Sequence, residues 1–366
     1  MRAVDRTRIV FVSGAAYTGG AEKYIELLAS GLERERFEPV LVTSGSPGLE
    51  PLRSVLEVAG VSGETTGESP LASVGGARLF LDIMRRLRPD IVHINMPGPF
   101  DCAFGLPASL ARLSGVARIV TTEHLPMVES FTKAKLFRSI HMRHVSRFIT
   151  VSEDNRSHLV EKHGAPAGKI RVVHNGIPDP GVSGFGEKKG KGAVKLLVAG
   201  ALEERKGHHV ILSAMDRLPD RISLSIAGDG PLRGKLEIEL AAGRSGGRVE
   251  MLGEVKDIHE LVAESDVLVV PSLLEATPYV ILEAMAAGIP VVASAIYGIP
   301  EQVEDGVTGI LTQPGDEISL AEAILRLAEE PGLMREMGKA GRKRYEARFT
   351  LDRSVAGTVQ VYEELI

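Results

Sequence analysis

Residues 266–295 read DVLVVPSLLEATPYVILEAMAAGIPVVASA: an apolar run of strand length, a polar turn, a stretch of helical length, and a second apolar run. DVLVVPSL (266–273) and PVVASA (290–295) carry the Val-rich composition of strands buried on both faces. Between them Thr277 reads as an N-cap and Pro278 as the first helical residue. Strand, crossover helix and strand in this order predict a parallel sheet with helices on both faces.

The same grammar extends upstream through VKLLVAGAL (194–202), ISLSIAGDG (222–230) and VEMLGEV (249–255). Residues 194–345 are therefore expected to form one doubly wound domain. From Ser319 to Ile366 the reading is helical, with Leu320, Ile324, Leu325 and Leu327 at helical spacing, and 346–366 is expected as a C-terminal helix able to pack back on the N-terminal domain. In PDPGVSGFGEKKGKGA (178–193) Pro, Gly and Lys replace all apolar periodicity, which predicts a linker over 179–193. Before it, RIVFVSG (8–14), PVLVTS (39–44), DIVHINM (90–96), RIVTTEH (118–124) and RFITVSE (147–153) repeat the alternation, so 1–178 reads as another such domain. The expected fold class is α/β, with two Rossmann-like doubly wound domains facing across a cleft. Ligands of open parallel sheets bind outside the carboxyl ends of the strands, so the chemistry is expected there.

Bulk properties agree. A chain of 366 residues with 44% hydrophobic content is long enough for two cores. A formal net charge of −5 gives no reason to expect nucleic acid as a partner. The single cysteine, Cys102, cannot form an internal disulfide, and Met1 to Val12 reads as a strand rather than a signal peptide. A cytoplasmic location is expected. No uninterrupted apolar stretch reaches the about 18 residues of a spanning helix.

Chemistry-bearing residues cluster where strands end. Glu275 precedes Glu283 by eight positions, the first in the loop and the second about two turns into the helix. Carboxylates accept hydrogen bonds from vicinal hydroxyls of a ribose or hexose, and the free amides of a helix start suit an anion. The plainer alternative is an amphipathic helix with one exposed and one capping glutamate. In AGALEERKGHHVIL (199–212), Arg205 and Lys206 lie between a strand and a Gly-led helix. Two fixed cations there can neutralise a diphosphate leaving group without a divalent metal; taken alone, the same residues also fit a solvated basic turn. Gly19 and Gly20, in SGAAYTGGAEKYIELLASGL (13–32), let a phosphate or sugar approach the backbone. The G-x-G-x-x-G spacing of a dinucleotide site is missing. Glu123 and His124 end TTEH (121–124), where His124 is placed to hydrogen-bond a donor sugar, although a lone histidine is more often structural. Asn175 and Gly176 in HNGIPD (174–179) read as structural.

With GGAEKYI, TTEH, ITVSE, HNGI, ERKGHH, IAGDGPL, MLGEV and E-x7-E before AMAAGIPVVAS in this order, the chain resembles glycosyltransferase family 4, the group 1 retaining glycosyltransferases of GT-B fold. The resemblance covers nearly the whole chain. It implies that Glu275 contacts the donor sugar near the reacting centre, that Glu283 holds the ribose hydroxyls, and that Lys206, assisted by Arg205, binds the diphosphate. Main-chain groups around Val255 are implied to meet the base. The loop from Thr277 through Tyr279 to Val280 is implied to line the sugar and phosphate pocket, with Gly20 opposite and His124 near the donor sugar. Catalytic roles fall on Glu275, His124 and Lys206. The reaction implied is front-face transfer with retention, the nucleotide diphosphate sugar being a co-substrate and no metal or cofactor being required. Two positions depart from the family pattern: its arginine after the strand glycine is Ala201 here, with Arg205 nearby to supply charge, and its glycine after the first glutamate is Ala276.

The acceptor implied is a glycan, lipid-linked intermediate or small molecule, in cell-envelope polysaccharide, glycolipid or metabolite glycosylation. FTKAKLFRSIHMRHVSRF (131–148) interleaves Lys133, Lys135, Arg138, Arg143 and Arg147 with apolar residues and no acid. Such a helix can make peripheral contact with the inner face of the membrane. The preferred reading is a solvated flank packed on the first domain. Two alternatives to sugar transfer are a UDP-sugar epimerase or hydrolase of the same fold, disfavoured by the pairing of E-x7-E with lysine, and a non-catalytic nucleotide-sugar-binding protein.

Overall fold

The computed structural model describes residues 6–67, 74–96, 106–125, 140–181, 192–243, 246–255 and 257–366. The chain forms two compact units, Met1–Asn175 with Leu351–Ile366, and Gly176–Thr350.

The first unit carries a seven-stranded sheet of β1 (Thr7–Ser13), β2 (Phe37–Thr43), β3 (Ser62–Thr65), β4 (Ile91–Met96), β5 (Ile119–Glu123), β6 (Arg147–Thr150) and β7 (Ile170–Val172). All neighbours are parallel, in the order β3-β2-β1-β4-β5-β6-β7. The order reverses between β1 and β4, where Ser13 pairs with Asn95 at the carboxyl edge. Crossovers leaving the sheet in opposite directions open a crevice at such a point. Val10, Val12, Val92, Ile94 and Phe148 centre the core, and β4 is buried along its whole length, His93 and Asn95 included. Alternation along the strand puts these two polar residues on the face opposite Val92, Ile94 and Met96.

The last helix, Leu351–Glu363, belongs to this unit. Arg147 and Arg171 both bond Glu364 just beyond it, and Arg118 Nε donates to the Leu365 carbonyl at 2.5 Å. The 131–148 stretch is only partly described, residues 131–139 lying outside. What is described departs from one long basic helix. Residues 140–144 are helical, but His141 and Val145 are buried and Arg147 opens β6 with its guanidinium on Glu364. Among the described residues no helix is long and apolar enough to cross a membrane.

The second unit holds β8 (Val194–Ala199), β9 (Ile222–Ala227), β10 (Val249–Gly253), β11 (Val267–Val270), β12 (Val291–Ser294) and β13 (Gly309–Thr312) in one parallel sheet. The order is β10-β9-β8-β11-β12-β13, with its reversal between β8 and β11. Leu196, Val198, Val210, Ile211, Val267, Val269 and Leu327 build the core. The helix Tyr279–Ala287 begins one residue later than expected, with Pro278 as N-cap and Thr277 before it. The fixed φ of Pro278 is compatible with an extended cap (φ −64°, ψ 134°) as well as with a first helical turn. Ile177 bridges Thr350, and Arg342 donates to Asp179 through Nη1 at 3.0 Å and through Nη2.

Candidate functional site

At the reversal in the second sheet, β8 runs into Gly200 and a single turn Glu204–Lys206, and β11 runs into the loop 271–278. The Arg205 carbonyl accepts the Leu273 and Leu274 amides at 2.7 and 3.1 Å, tying turn to loop. Gly207 follows at φ +66°, and a Cβ there would lie 2.0 Å from the Pro271 carbonyl oxygen. Only glycine permits both that left-handed conformation and that approach. Next to it Lys206 Nζ donates to Glu275 Oε2. Arg205 Nη1 lies 3.5 Å from the same oxygen, while its Nε donates to Glu203 Oε2 at 2.7 Å. Glu275 is 8% exposed, so one carboxylate is buried against two cations.

Beside this cluster is a cavity of about 270 Å³ lined by Gly200, Gly228, Glu254, Val255, Val280 and Glu283, among others. It sits over the carboxyl ends of β8, β9 and β10. Gly228 has φ +138°, and a Cβ there would stand 2.0 Å from the Gly200 carbonyl oxygen, so a side chain would separate the two strand ends that form the floor. The structure thus brings Val255, Val280 and Glu283 to one cavity and Arg205, Lys206 and Glu275 to one cluster. Thr277 is buried and Tyr279 half-buried, and neither lines the cavity.

In the first unit, Ser13 Oγ donates to Glu22 Oε1 at 2.9 Å, and the Gly19 amide donates to Glu22 Oε2 at 3.2 Å, so the N3 carboxylate caps the start of the helix Gly20–Gly31 from one side. Burial pushes the Glu22 carboxyl above its ordinary value. The turn before it is pinned by the Thr18 amide donating to the Gly48 carbonyl at 2.9 Å. A Cβ on Gly20 would meet nothing within 4 Å, so this helix start faces open space.

His124 directly follows β5 nearby. Its Nε2 lies 2.7 Å from Asn95 Oδ1, and Asn95 Nδ2 donates to the Ala21 carbonyl at 2.9 Å. That second bond turns the amide oxygen toward the imidazole, so Nε2 carries the hydrogen. Burial pushes the His124 pKa down to about 3, and the neutral ring keeps its lone pair on Nδ1. His124 therefore presents an acceptor, suited to a hydroxyl and unsuited to a phosphate oxygen.

Several residues of these sites were not singled out in the sequence. Glu22 stands in the GGAEKYI stretch without a role of its own, and Asn95 in a segment read only as strand. His208, 1% exposed, has its pKa lowered to about 4, first by burial and then by the charges of Lys206 and His209. The HH pair after Gly207 was its only mark.

A profile described as "Glycosyl transferases group 1" matches residues 185–344, and one described as "Glycosyltransferase Family 4" matches 18–179. A glycogen synthase of Mycobacterium tuberculosis is 30% identical over 294 residues, 76% of this chain and 69% of that protein. A D-inositol 3-phosphate glycosyltransferase of Streptomyces bingchenggensis is 28% identical over 253 residues, 60% of this chain and 52% of that protein. The crystal structure of Anabaena Alr3699/HepE in complex with UDP superposes with TM-score 0.82 at 21% identity, over 98% of this chain and 100% of that one. Sequence, sheet order and the residues gathered at the strand ends lead to one conclusion: the chain belongs to glycosyltransferase family 4, the group 1 glycosyltransferases of GT-B fold.

Proposed function

We propose that this glycosyltransferase takes its sugar from a UDP- or GDP-linked donor seated at the carboxyl edge of the second sheet and transfers it, with retention and without a metal, to an acceptor hydroxyl. The observation that carries the reading is the convergence of Lys206 and Arg205 on Glu275 beside the cavity of Val255, Val280 and Glu283. At about 270 Å³ the cavity is close to the lower bound of small-molecule sites, roughly 300 Å³, a size for the nucleoside part of a donor. Glu283 is assigned the ribose hydroxyls, and the backbone at Val255 the base. The diphosphate meets Lys206, Arg205 and the amides that open the helix Tyr279–Ala287, and Glu275 meets the sugar.

In the transfer the bond from the anomeric carbon to the diphosphate oxygen breaks as that negative charge builds beside the two cations. The acceptor oxygen bonds the same face of the carbon, and its proton passes to the departing phosphate oxygen. His124 accepts a hydrogen bond from a donor-sugar hydroxyl. HepE in complex with UDP supports a uridine donor, and the range from glycogen synthase to inositol phosphate glycosyltransferase among the relatives leaves the acceptor as a glycan, lipid-linked intermediate or small molecule. The proposed setting is the cytoplasm.

Thermal unfolding of the purified protein with UDP, GDP, ADP and their sugar conjugates tests this, because a ligand bound by the folded state alone raises the melting temperature. A rise confined to the uridine or guanosine series supports the reading. Equal melting temperatures with every nucleotide at millimolar concentration refute it.

A further inference from the structure

Behind the helix start of the first unit, five buried polar side chains are joined in a row. Thr122 Oγ1 donates to the Tyr24 hydroxyl at 3.2 Å. A threonine hydroxyl has one proton, so its contact with His93 Nε2 at 2.6 Å must be received, and Nε2 carries the hydrogen. Burial, with a smaller contribution from His124, lowers the His93 pKa to about 3, so the ring is neutral and Nδ1 is a bare acceptor. The Tyr362 hydroxyl, 2.5 Å from Nδ1, donates to it. At the other end Thr358 Oγ1 donates to the Ser354 carbonyl at 3.1 Å, so it accepts from the Tyr24 hydroxyl at 3.4 Å. Tyr24, His93, Thr122, Thr358 and Tyr362 are each at most 2% exposed.

The five bonds run in one sense: Tyr362 to His93 to Thr122 to Tyr24 to Thr358 to the Ser354 carbonyl. They leave the helix Leu351–Glu363, cross β4, β5 and the helix Gly20–Gly31, and return to the helix they left. A carbonyl can only accept, so the last link fixes the direction of all the others, and no hydroxyl can reverse alone. Bonds aligned in this way polarise one another. The ring of Tyr24, held by this chain at its hydroxyl, meets the His124 imidazole edge-on at 5.0 Å and 70°.

We propose that this one-way chain makes the last helix a positioning element of the sugar site: Tyr362, His93, Thr122 and Thr358 fix Tyr24, and Tyr24 fixes the plane of the His124 ring. The role of His124 toward a donor sugar rests on the proposed function, whereas the positioning does not. Tyr362 thereby acts on an imidazole that it reaches only through other residues of the chain.

Nitrogen NMR of the full-length protein labelled with ¹⁵N-histidine reads both rings directly. In the wild type, His93 and His124 are expected as neutral Nε2–H tautomers. Tyr362→Phe removes the donor to His93 Nδ1 and is expected to move the His124 ring nitrogens as well. Val361→Ala, a buried apolar truncation on the same helix, is expected to leave them in place. Should Tyr362→Phe not fold, Thr358→Val, which takes the acceptor from Tyr24, makes the same comparison. His124 signals unchanged in the chain variants, or displaced equally by Val361→Ala, overturn the proposal, as does an Nδ1–H tautomer at His93. UDP release from UDP-glucose separates the two readings: wild-type release by His124→Ala, with His124 displaced in Tyr362→Phe, overturns its sugar-binding role and upholds the positioning.

Discussion

Lys206 Nζ donates to Glu275 Oε2 across 69 positions of sequence, joining the turn after β8 to the loop after β11. The pair spans the point where the strand order of the second sheet reverses. Under the proposed function, this cation and this carboxylate, already held together, are the groups that meet the leaving diphosphate and the sugar.

Glu275→Gln and Lys206→Ala are each expected to lower sugar transfer by about a hundredfold or more, the scale of a lost transition-state electrostatic contact. Because the two side chains bond each other, the double variant is expected to lose less than the product of the single losses. Initial rates of nucleoside diphosphate release check this, and wild-type rates in either folded single variant refute the assigned roles.

Glu283→Ala is expected to weaken nucleotide binding by about 1.5–3 kcal/mol, the range for hydrogen bonds to a charged group, while leaving the melting temperature of the free protein nearly unchanged. Calorimetric titration with UDP and GDP measures it. An unaltered dissociation constant would remove Glu283 from the ribose.

Gly207→Ala forces a Cβ toward the Pro271 carbonyl oxygen at a left-handed residue, and is expected to cost about 3 kcal/mol of stability. Equilibrium urea unfolding reads the loss. Gly20→Ala is the control, since its Cβ meets open space and φ there is helical. Its expected change is within about 1 kcal/mol and favours the helix.

Stability is expected to fall on acidification. His93 and His124 have folded pKa values of about 3, against an ordinary value of 6.5, so below pH 6.5 the unfolded chain takes up protons that the folded one refuses. Each histidine then costs about 1.4 kcal/mol per pH unit down to its folded pKa. Together they remove about 4 kcal/mol between pH 7 and pH 5. Urea unfolding across that range tests the sign, and His93→Gln should flatten the slope by about one proton.

If Lys206 and Arg205 neutralise the leaving group, transfer proceeds at its full rate in excess chelator. A loss of activity that magnesium or manganese restores would contradict the metal-free mechanism.

Much of the fold was legible because parallel strands buried on both faces must be continuous apolar runs. RIVFVSG and VKLLVAGAL announce β1 and β8 in this way. Three of the four edge strands did not. β3 is SGET and largely exposed, β7 has three residues, and β13 is GILT, whose glycine is needed because a Cβ would approach the Val291 carbonyl oxygen to 2.2 Å. Short or exposed edge strands need no apolar run. The shift of the helix cap from Thr277 to Pro278 is a choice between two conformations that the same proline φ permits.

Two parallel sheets, with Glu275, Arg205 and Lys206 in the turns after strands and Glu283 in the helix that follows, are written into the chain locally, because strand-to-helix turns are local and the spacing of charges within them is covalent. Which of these turns meet is settled by packing between distant segments. Strand order sets β8 beside β11, which closes Lys206 on Glu275. The return of the last helix to the first unit sets Tyr362 on His93. A neutral histidine inside β4 and an acceptor lone pair on His124 come from burial and from the direction of neighbouring hydrogen bonds, and both arise only after segments far apart in sequence have packed.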